Sequence, residues 1–242
     1  MNRNDLTSLT LIRHGQAIVN IEPVIGGMKG DRGLTPLGVR QAERLRDRLR
    51  TSGELTADVF LTSSLPRARQ TAEILAPVFD VPPVADDDLQ EFRTGPEGDG
   101  LPLAEYKKRF GWIDMERYPF TPTDPGGESW AVFMLRVHSA LVRILEAHAG
   151  KRIVIVCHGG VVDASFFHFF GLHPFSVPAT GFDTRNTSLT VWKQIVRHDR
   201  ARWVLDRYND DAHLRGSEVE PGIDYLNEPH AAAPVPTEAS GE

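Results

Sequence analysis

Apolar residues along this chain follow two patterns, short continuous runs and longer stretches with helical spacing. Three runs typical of buried strands lie at 8–13, 58–62 and 151–157. Helical spacing of apolar residues, or a helix-start signal, predicts helices at 35–53, 66–79, 103–110, 128–149 and 161–170. Two later strand candidates lie at 187–195 and 202–208. This order predicts an α/β fold, a single domain with a mostly parallel central sheet sandwiched by helices.

The domain is predicted to cover 1–216, and the remainder, 217–242, to be a disordered tail. The chain has 27 Lys and Arg against 33 Asp and Glu, a net charge of −6. The tail holds six of those acidic residues, no Lys or Arg, and many Ala and Pro, a composition that does not favour a packed core. Within the domain, about 92–127 is an irregular insert rich in Gly and Pro, of the kind that forms a lid or a specificity loop.

The charge and apolar patterns exclude several classes of partner and location. Without its tail the chain is electrically balanced and has no lysine-rich run, so we expect no nucleic acid and no membrane partner. Every apolar run is far shorter than the roughly 20 residues of a membrane span, and the N-terminus does not resemble a signal peptide. The single cysteine, Cys157, excludes an internal disulfide and a cysteine-based zinc site. Together these features predict a cytoplasmic protein.

Residues suited to phosphate chemistry follow three of the predicted strands. Arg13 and His14 end the first strand, Arg67 follows the second, and His158 and Gly159 follow the third. Because the carboxyl ends of parallel strands meet at one edge of a sheet, these side chains should converge in one crevice. Arginine binds phosphate oxygens, histidine acts as a nucleophile or proton carrier near neutral pH, and glycine lets backbone N–H groups approach an anion. The sequence therefore predicts a phosphate pocket with a histidine nucleophile.

Eight segments, in order along the chain, resemble the motifs of the histidine phosphatase superfamily. They are LIRHGQAIVN at 11–20, DRGLTPLGVRQAERL at 31–45, SSLPRARQTAEIL at 63–75, LQEFRTG at 89–95, GGESW at 126–130, VCHGGV at 156–161, NTSLT at 186–190 and NDDAHL at 209–214. The resemblance is to branch 1, which contains the cofactor-dependent phosphoglycerate mutases. It implies a phosphoglycerate mutase-like fold.

The resemblance also implies a role for each residue that matches a motif. His14 would attack phosphorus and become a phosphohistidine. Glu91 would protonate the leaving alkoxide and then, as a carboxylate, activate the water that hydrolyses this intermediate. Charge on the transferring phosphoryl group would be neutralised by Arg13, Arg67 and a protonated His158. Further candidates for phosphate or product contacts are Asn20, Gln16 and the Gly159 amide.

The resemblance implies no metal and no other cofactor, because arginines take over the neutralising role. The other histidines lack the spacing of metal ligands. The expected partner is a small phosphorylated substrate, and a homodimer is left open.

The sequence bears on four possible functions: a phosphatase, a phosphoglycerate mutase, a phospho-ligand binding module and a serine hydrolase. In the mutases an arginine typically follows the catalytic acid, whereas Phe92 follows Glu91 here and Arg93 is displaced by one place. A mutase must keep its donated phosphate from water and grip a second acid group, so this change favours a phosphatase over a phosphoglycerate mutase. A catalytically silent phospho-ligand binding module is disfavoured because the nucleophile, His14, is intact. A serine hydrolase pattern at 127–131 lacks the preceding strand that a nucleophile elbow needs.

Overall fold

Six strands form one sheet in the computed structural model, which describes residues 6–175, 177 and 181–216. The strands are β1 (Ser8–Arg13), β2 (Val59–Ser63), β3 (Val84–Asp86), β4 (Arg152–Cys157), β5 (Leu189–Arg197) and β6 (Arg200–Asp210). Their order across the sheet is β3-β2-β4-β1-β5-β6. The first four are parallel, and β5 and β6 are antiparallel to their neighbours. The tail predicted at 217–242 lies outside the described residues.

In the part of the chain that the structure describes, six α-helices connect and cover the strands. They are α1 (Ile18–Ile21), α2 (Pro36–Ser52), α3 (Pro66–Leu75), α4 (Leu103–Phe110), α5 (Trp130–Ala147) and α6 (Gly159–Phe170). Two of the longest begin at side-chain caps, because the Thr35 hydroxyl accepts the Gly38 N–H and the Ser129 hydroxyl accepts the Val132 N–H. Among the described residues, no helix combines the length and apolar character needed to cross a bilayer.

The two faces of the sheet bury separate apolar clusters. Successive side chains of a strand point to opposite faces, and β4 shows this directly. Ile153 and Ile155 pack with α5 and α6, whereas Val154 and Val156 pack with α2 and α3. Burying each such side chain stabilises the fold by about 1.5–3 kcal/mol. The predicted α/β domain with a mostly parallel, helix-sandwiched sheet is confirmed.

The structure differs from the sequence prediction at three short elements. The segment 80–88, in which no strand was predicted, contains the edge strand β3, which is only three residues long and carries no hydrophobic alternation. The loop after β1 contains the single-turn α1. The helix predicted to reach residue 79 ends at Leu75 and continues as a 3-10 turn, Ala76–Val78, where Pro77 interrupts the α-helical hydrogen bonds.

Candidate active site

The register of β1 and β4 brings the two candidate histidines together. Arg13 lies opposite Cys157 in this parallel pair, so His14 and His158 leave the sheet side by side. The His14 N–H donates to the Cys157 carbonyl at 2.9 Å. The two rings meet edge to face with centroids 5.1 Å apart, and both side chains are buried.

The hydrogen bonds of His14 define which ring nitrogen is reactive. Its Nδ1 lies 2.7 Å from the Gly15 carbonyl oxygen. Because a carbonyl oxygen only accepts, Nδ1 must carry the proton, which leaves the lone pair on Nε2. The Arg67 Nε–H donates to that Nε2 at 3.2 Å. His14 is therefore held with a nucleophilic nitrogen next to an arginine.

The protein environment keeps both histidines neutral. Burial, followed by the charges of Arg67 and Arg13, lowers the pKa of His14 well below 6.5. Burial and the same arginines also lower the pKa of His158 well below 6.5. The protonated His158 expected from the sequence is thus not favoured by the protein alone, because desolvation and nearby cations oppose a second positive charge. It requires the negative charge of a bound phosphate.

A titration followed by NMR tests these directions. The carbon-bound ring protons of His14 and His158 should show no inflection between about pH 8 and 5.5, whereas the same protons in urea-denatured chain should titrate near pH 6.5. Inorganic phosphate should raise both pKa values, because a bound dianion favours imidazolium. Ordinary titration of either ring in the folded protein would contradict the burial argument.

Arg67 is fixed by the buried carboxylate of Asp31, which is not among the site residues predicted from the sequence. Its Nη1 donates to Asp31 Oδ2 at 2.9 Å and to the Gly26 carbonyl at 3.1 Å. Arg67 and Asp31 are both buried, with side-chain exposures of 4% and 0%. Removing one partner of such a pair costs about 3–5 kcal/mol, since the other charge stays buried. The only sequence signal for Asp31 is its position in the second motif, DRGLT.

The loop before β5 holds the Arg13-His14 turn through side-chain and backbone hydrogen bonds. The Arg13 guanidinium donates to the Thr184 carbonyl. The Asn186 side-chain nitrogen donates to the His14 carbonyl at 2.9 Å, and the Thr187 N–H donates to the Arg13 carbonyl at 2.9 Å. Thr187 adopts a φ of 57°, which is uncommon for a β-branched residue. The NTSLT motif thus orients the Arg13-His14 turn through its backbone and side chains.

Glu91 faces the histidines from the loop that follows β3. Its Oε2 accepts the Gly160 N–H at 3.0 Å and its Oε1 accepts the Phe92 N–H at 3.0 Å. The Arg136 guanidinium holds this loop by donating to the Gln90 and Glu91 carbonyls at 2.9 and 3.2 Å. The Arg136 guanidinium also pairs with Glu128, which lies near the start of α5. The distance between Arg136 Nε and Glu128 Oε1 is 2.7 Å. Glu91 is therefore held by Arg136 of α5 and Gly160 of α6.

Gly160 is the point at which a methyl group would displace Glu91. A Cβ at this position would lie 2.3 Å from Glu91 Oε1, whereas one at Gly159 would approach nothing nearer than Arg13 Nε at 3.9 Å. Gly160→Ala should therefore lower kcat/KM for alkyl phosphates on the order of tenfold to a hundredfold by moving the carboxyl group. Gly159→Ala is the matched control, because it has room and keeps its amide. Equal losses in the two variants would contradict this explanation.

These residues enclose a pocket of about 240 Å³ at the carboxyl edge of the sheet. Its lining includes six of the eight predicted site residues, namely Arg13, His14, Asn20, Arg67, Glu91 and Gly159. His158 packs edge to face against His14 and is not among the described lining residues, and its Nε2 is 2.8 Å from the Ser63 hydroxyl. Gln16 does not line the pocket, because its side-chain oxygen accepts the Thr35 hydroxyl at 2.8 Å and holds the loop against α2. The phosphate contact expected for Gln16 stays a prediction.

Comparisons with known proteins agree with this architecture. The sequence profile of the histidine phosphatase superfamily (branch 1) matches residues 9–211. The Bacillus subtilis protein described as uncharacterized phosphatase PhoE is 28% identical over 212 residues, 87% of this chain and 98% of the relative. The probable phosphoglycerate mutase GpmB of Klebsiella pneumoniae is 32% identical over 207 residues, 84% of this chain and 93% of the relative. A solved phosphoserine phosphatase from Entamoeba histolytica, in complex with phosphoserine, is 26% identical with a TM-score of 0.65, covering 86% of this chain and 99% of that one.

The chain belongs to branch 1 of the histidine phosphatase superfamily. Its relatives include proteins described as phosphatases and proteins described as probable mutases.

Proposed function

We propose that this protein is a phosphomonoesterase that hydrolyses a small phosphorylated metabolite through a phosphohistidine on His14. The observation that carries the proposal is the state of His14. Its Nδ1 is bound to the Gly15 carbonyl, so Nε2 presents a lone pair beside the Arg67 guanidinium in a pocket. A neutral imidazole next to an anion-binding group is suited to in-line attack on a phosphoryl group.

The first step transfers the phosphoryl group to the enzyme. His14 Nε2 forms a bond to phosphorus while the bond from phosphorus to the ester oxygen breaks. Glu91, protonated for this step, gives its proton to the departing alkoxide, and the alcohol leaves. The Arg67 N–H that now donates to Nε2 is placed to donate to a phosphate oxygen instead.

The second step hydrolyses the phosphohistidine. Glu91 is now a carboxylate and removes a proton from water as the water oxygen attacks phosphorus. The bond from phosphorus to Nε2 breaks, His14 returns to its neutral form, and inorganic phosphate leaves. Glu91 is protonated again, so the proton balance closes over the two steps.

Several groups are available to hold the phosphate. His158 Nδ1 is buried and has no hydrogen-bond partner among the described residues, which suits a donor that a phosphate oxygen would satisfy. The bound dianion would favour protonation of this ring. Gly159 begins α6, so its N–H lies at the positive end of a helix dipole. Arg13, Arg67 and the side-chain nitrogen of Asn20 complete the set.

A phosphoglycerate mutase is the second candidate, because the GpmB relative is described as one. The basic residues of the insert are nevertheless not among the described residues that line the pocket, and three of them contact other groups. Arg109 pairs with Glu97, Lys107 lies 4.9 Å from the Trp112 ring and Arg117 lies 5.3 Å from the Tyr118 ring. Among the described lining residues, Arg13 and Arg67 are the cations, and both serve the phosphate. A second acid group on the substrate would lack a counter-charge, which supports hydrolysis over mutase activity.

The test is a phosphate-release assay on small phosphomonoesters, run beside an assay for interconversion of 2- and 3-phosphoglycerate. We expect phosphate release without interconversion, together with an acid-labile phosphoenzyme. Interconversion faster than release would replace the proposal with the mutase. Neither activity, with phosphate still bound, would favour a binding module.

A further inference from the structure

A second carboxyl group, Asp163, lies in the pocket and has no role in the two steps above. It is on α6, five residues after His158, and lines the same pocket as His14 and Glu91. Its Oδ1 is buried and has no hydrogen-bond partner among the described residues. Buried carboxyl oxygens normally have a partner, so this atom is suited to a donor supplied by a ligand.

Charged and titratable groups reach Asp163 from several elements. Glu91 acts on it from the loop after β3, and Arg13 from the end of β1. The charge of Asp163 in turn contributes to raising the pKa of Tyr208 in β6 and the pKa of the Cys157 thiol in β4. Burial and the Glu91 charge raise the pKa of Asp163 to about 7, while Arg13 opposes this rise. The carboxyl group therefore changes its charge within the neutral range.

The pocket lining carries charges of both signs. Arg13 and Arg67 lie at the phosphate, and a third acidic residue, Asp183, joins Glu91 and Asp163 in the lining. Asp183 is exposed, so it lies at the mouth of the pocket. A phosphate dianion matches the two arginines. The part of the substrate beyond the phosphate then meets carboxyl groups.

We propose that Asp163, with Glu91 and Asp183, forms an acidic wall that selects phosphomonoesters whose leaving group carries hydroxyl or ammonium donors and rejects leaving groups with a carboxylate or a second phosphate. The proposal rests on the proposed function and names its substrate class. Asp163 acts as a specificity-determining residue, because its unpartnered oxygen accepts from a hydroxyl or ammonium group. An anionic leaving group in the same place is repelled by the ionised Asp163 carboxylate.

Three esters of matched size test the wall, with inhibition of p-nitrophenyl phosphate hydrolysis as the readout. They are O-phosphoethanolamine, 2-hydroxyethyl phosphate and phosphoglycolate, whose two-carbon leaving groups are cationic, neutral and anionic. In the unaltered protein, the ratio of the inhibition constants of phosphoglycolate and phosphoethanolamine should rise about tenfold from pH 6 to pH 8, as Asp163 ionises. Each inhibition constant is expressed per phosphate dianion, because the ammonium group lowers and the carboxylate raises the second pKa of the phosphate. This measurement needs no variant.

Asp163→Asn should remove most of this pH dependence, so that the ratio at pH 8 falls about tenfold to the value of the unaltered protein at pH 6. Asp47→Asn is the matched control, because Asp47 is an exposed acid on α2 outside the pocket lining and the change in net charge is the same. A ratio that is independent of pH and unchanged in Asp163→Asn would overturn the acidic wall. So would tighter binding of phosphoglycolate than of phosphoethanolamine at pH 8.

The proposed function fails in a different way from the wall. Absence of p-nitrophenol release and of phosphorylated His14 would count against the phosphatase alone. Binding of the three esters, followed by the ring-proton signals of His14 and His158, would then give the same ratio and decide the wall by the same criteria.

Discussion

His14→Ala should abolish hydrolysis, with a loss in kcat on the order of ten-thousandfold or more, because the variant lacks the nucleophile that forms the first bond to phosphorus. The same variant should form no phosphoenzyme. The expectation depends on Nε2 being the nitrogen that faces the pocket, since Nδ1 is bound to the Gly15 carbonyl at 2.7 Å. Rapid-quench experiments with radiolabelled substrate measure both the turnover rate and the amount of labelled phosphoenzyme.

His173→Ala provides the control, because His173 is exposed and does not line the pocket. It should retain activity and the phosphoenzyme. The fold of His14→Ala is checked by thermal unfolding and by its binding of inorganic phosphate, which depends on the arginines. Substantial turnover by a correctly folded His14→Ala protein would remove the nucleophile from His14.

Glu91→Gln should separate substrates by their leaving groups. Alkyl phosphates should lose on the order of a hundredfold to a thousandfold in kcat/KM, because an alkoxide needs a proton to depart. p-Nitrophenyl phosphate should keep kcat/KM within a few fold, since p-nitrophenolate leaves without one. Its kcat should fall, because the same carboxylate activates water in the second step, and a burst of p-nitrophenol should show the phosphoenzyme accumulating.

The matched control is Glu97→Gln, an exposed acid of the same insert that pairs with Arg109. This variant should leave both substrates unaffected. Equal losses of kcat/KM on alkyl and aryl phosphates in Glu91→Gln would show that Glu91 positions the pocket instead of donating a proton.

Much of the candidate site could be predicted because its parts follow strands. A buried parallel strand can be predicted from a local apolar run, and the residues at the end of that run lie at the carboxyl end of the strand. Arg13, His14 and His158 could therefore be placed at one edge of the sheet from the sequence. Glu91 follows an edge strand of three residues, Val84–Asp86, that carries no periodicity. Its position was therefore predicted from a motif resemblance and not from an element.

Other residues of the pocket gave no local signal. Asp31 lies in a loop, and its importance arises from a buried contact with Arg67, 36 residues later. Asp163 occupies a helix position that is indistinguishable by sequence from a solvated one. Gln16, an amide directly after Gly15, accepts a hydrogen bond from the Thr35 hydroxyl, a contact that no local pattern indicated.

The sequence by itself determined the α/β class, the presence of histidines and arginines at the ends of strands, and the resemblance to histidine phosphatases. These features depend only on short-range patterns and on the order of the motifs. Only the tertiary structure decided which nitrogen of His14 is free, that both histidines are neutral in the protein, and that Asp163 faces Glu91. Protonation and charge pairing depend on burial and on groups far apart in the chain. They exist only once the strands are in register and the loops have closed over the sheet edge.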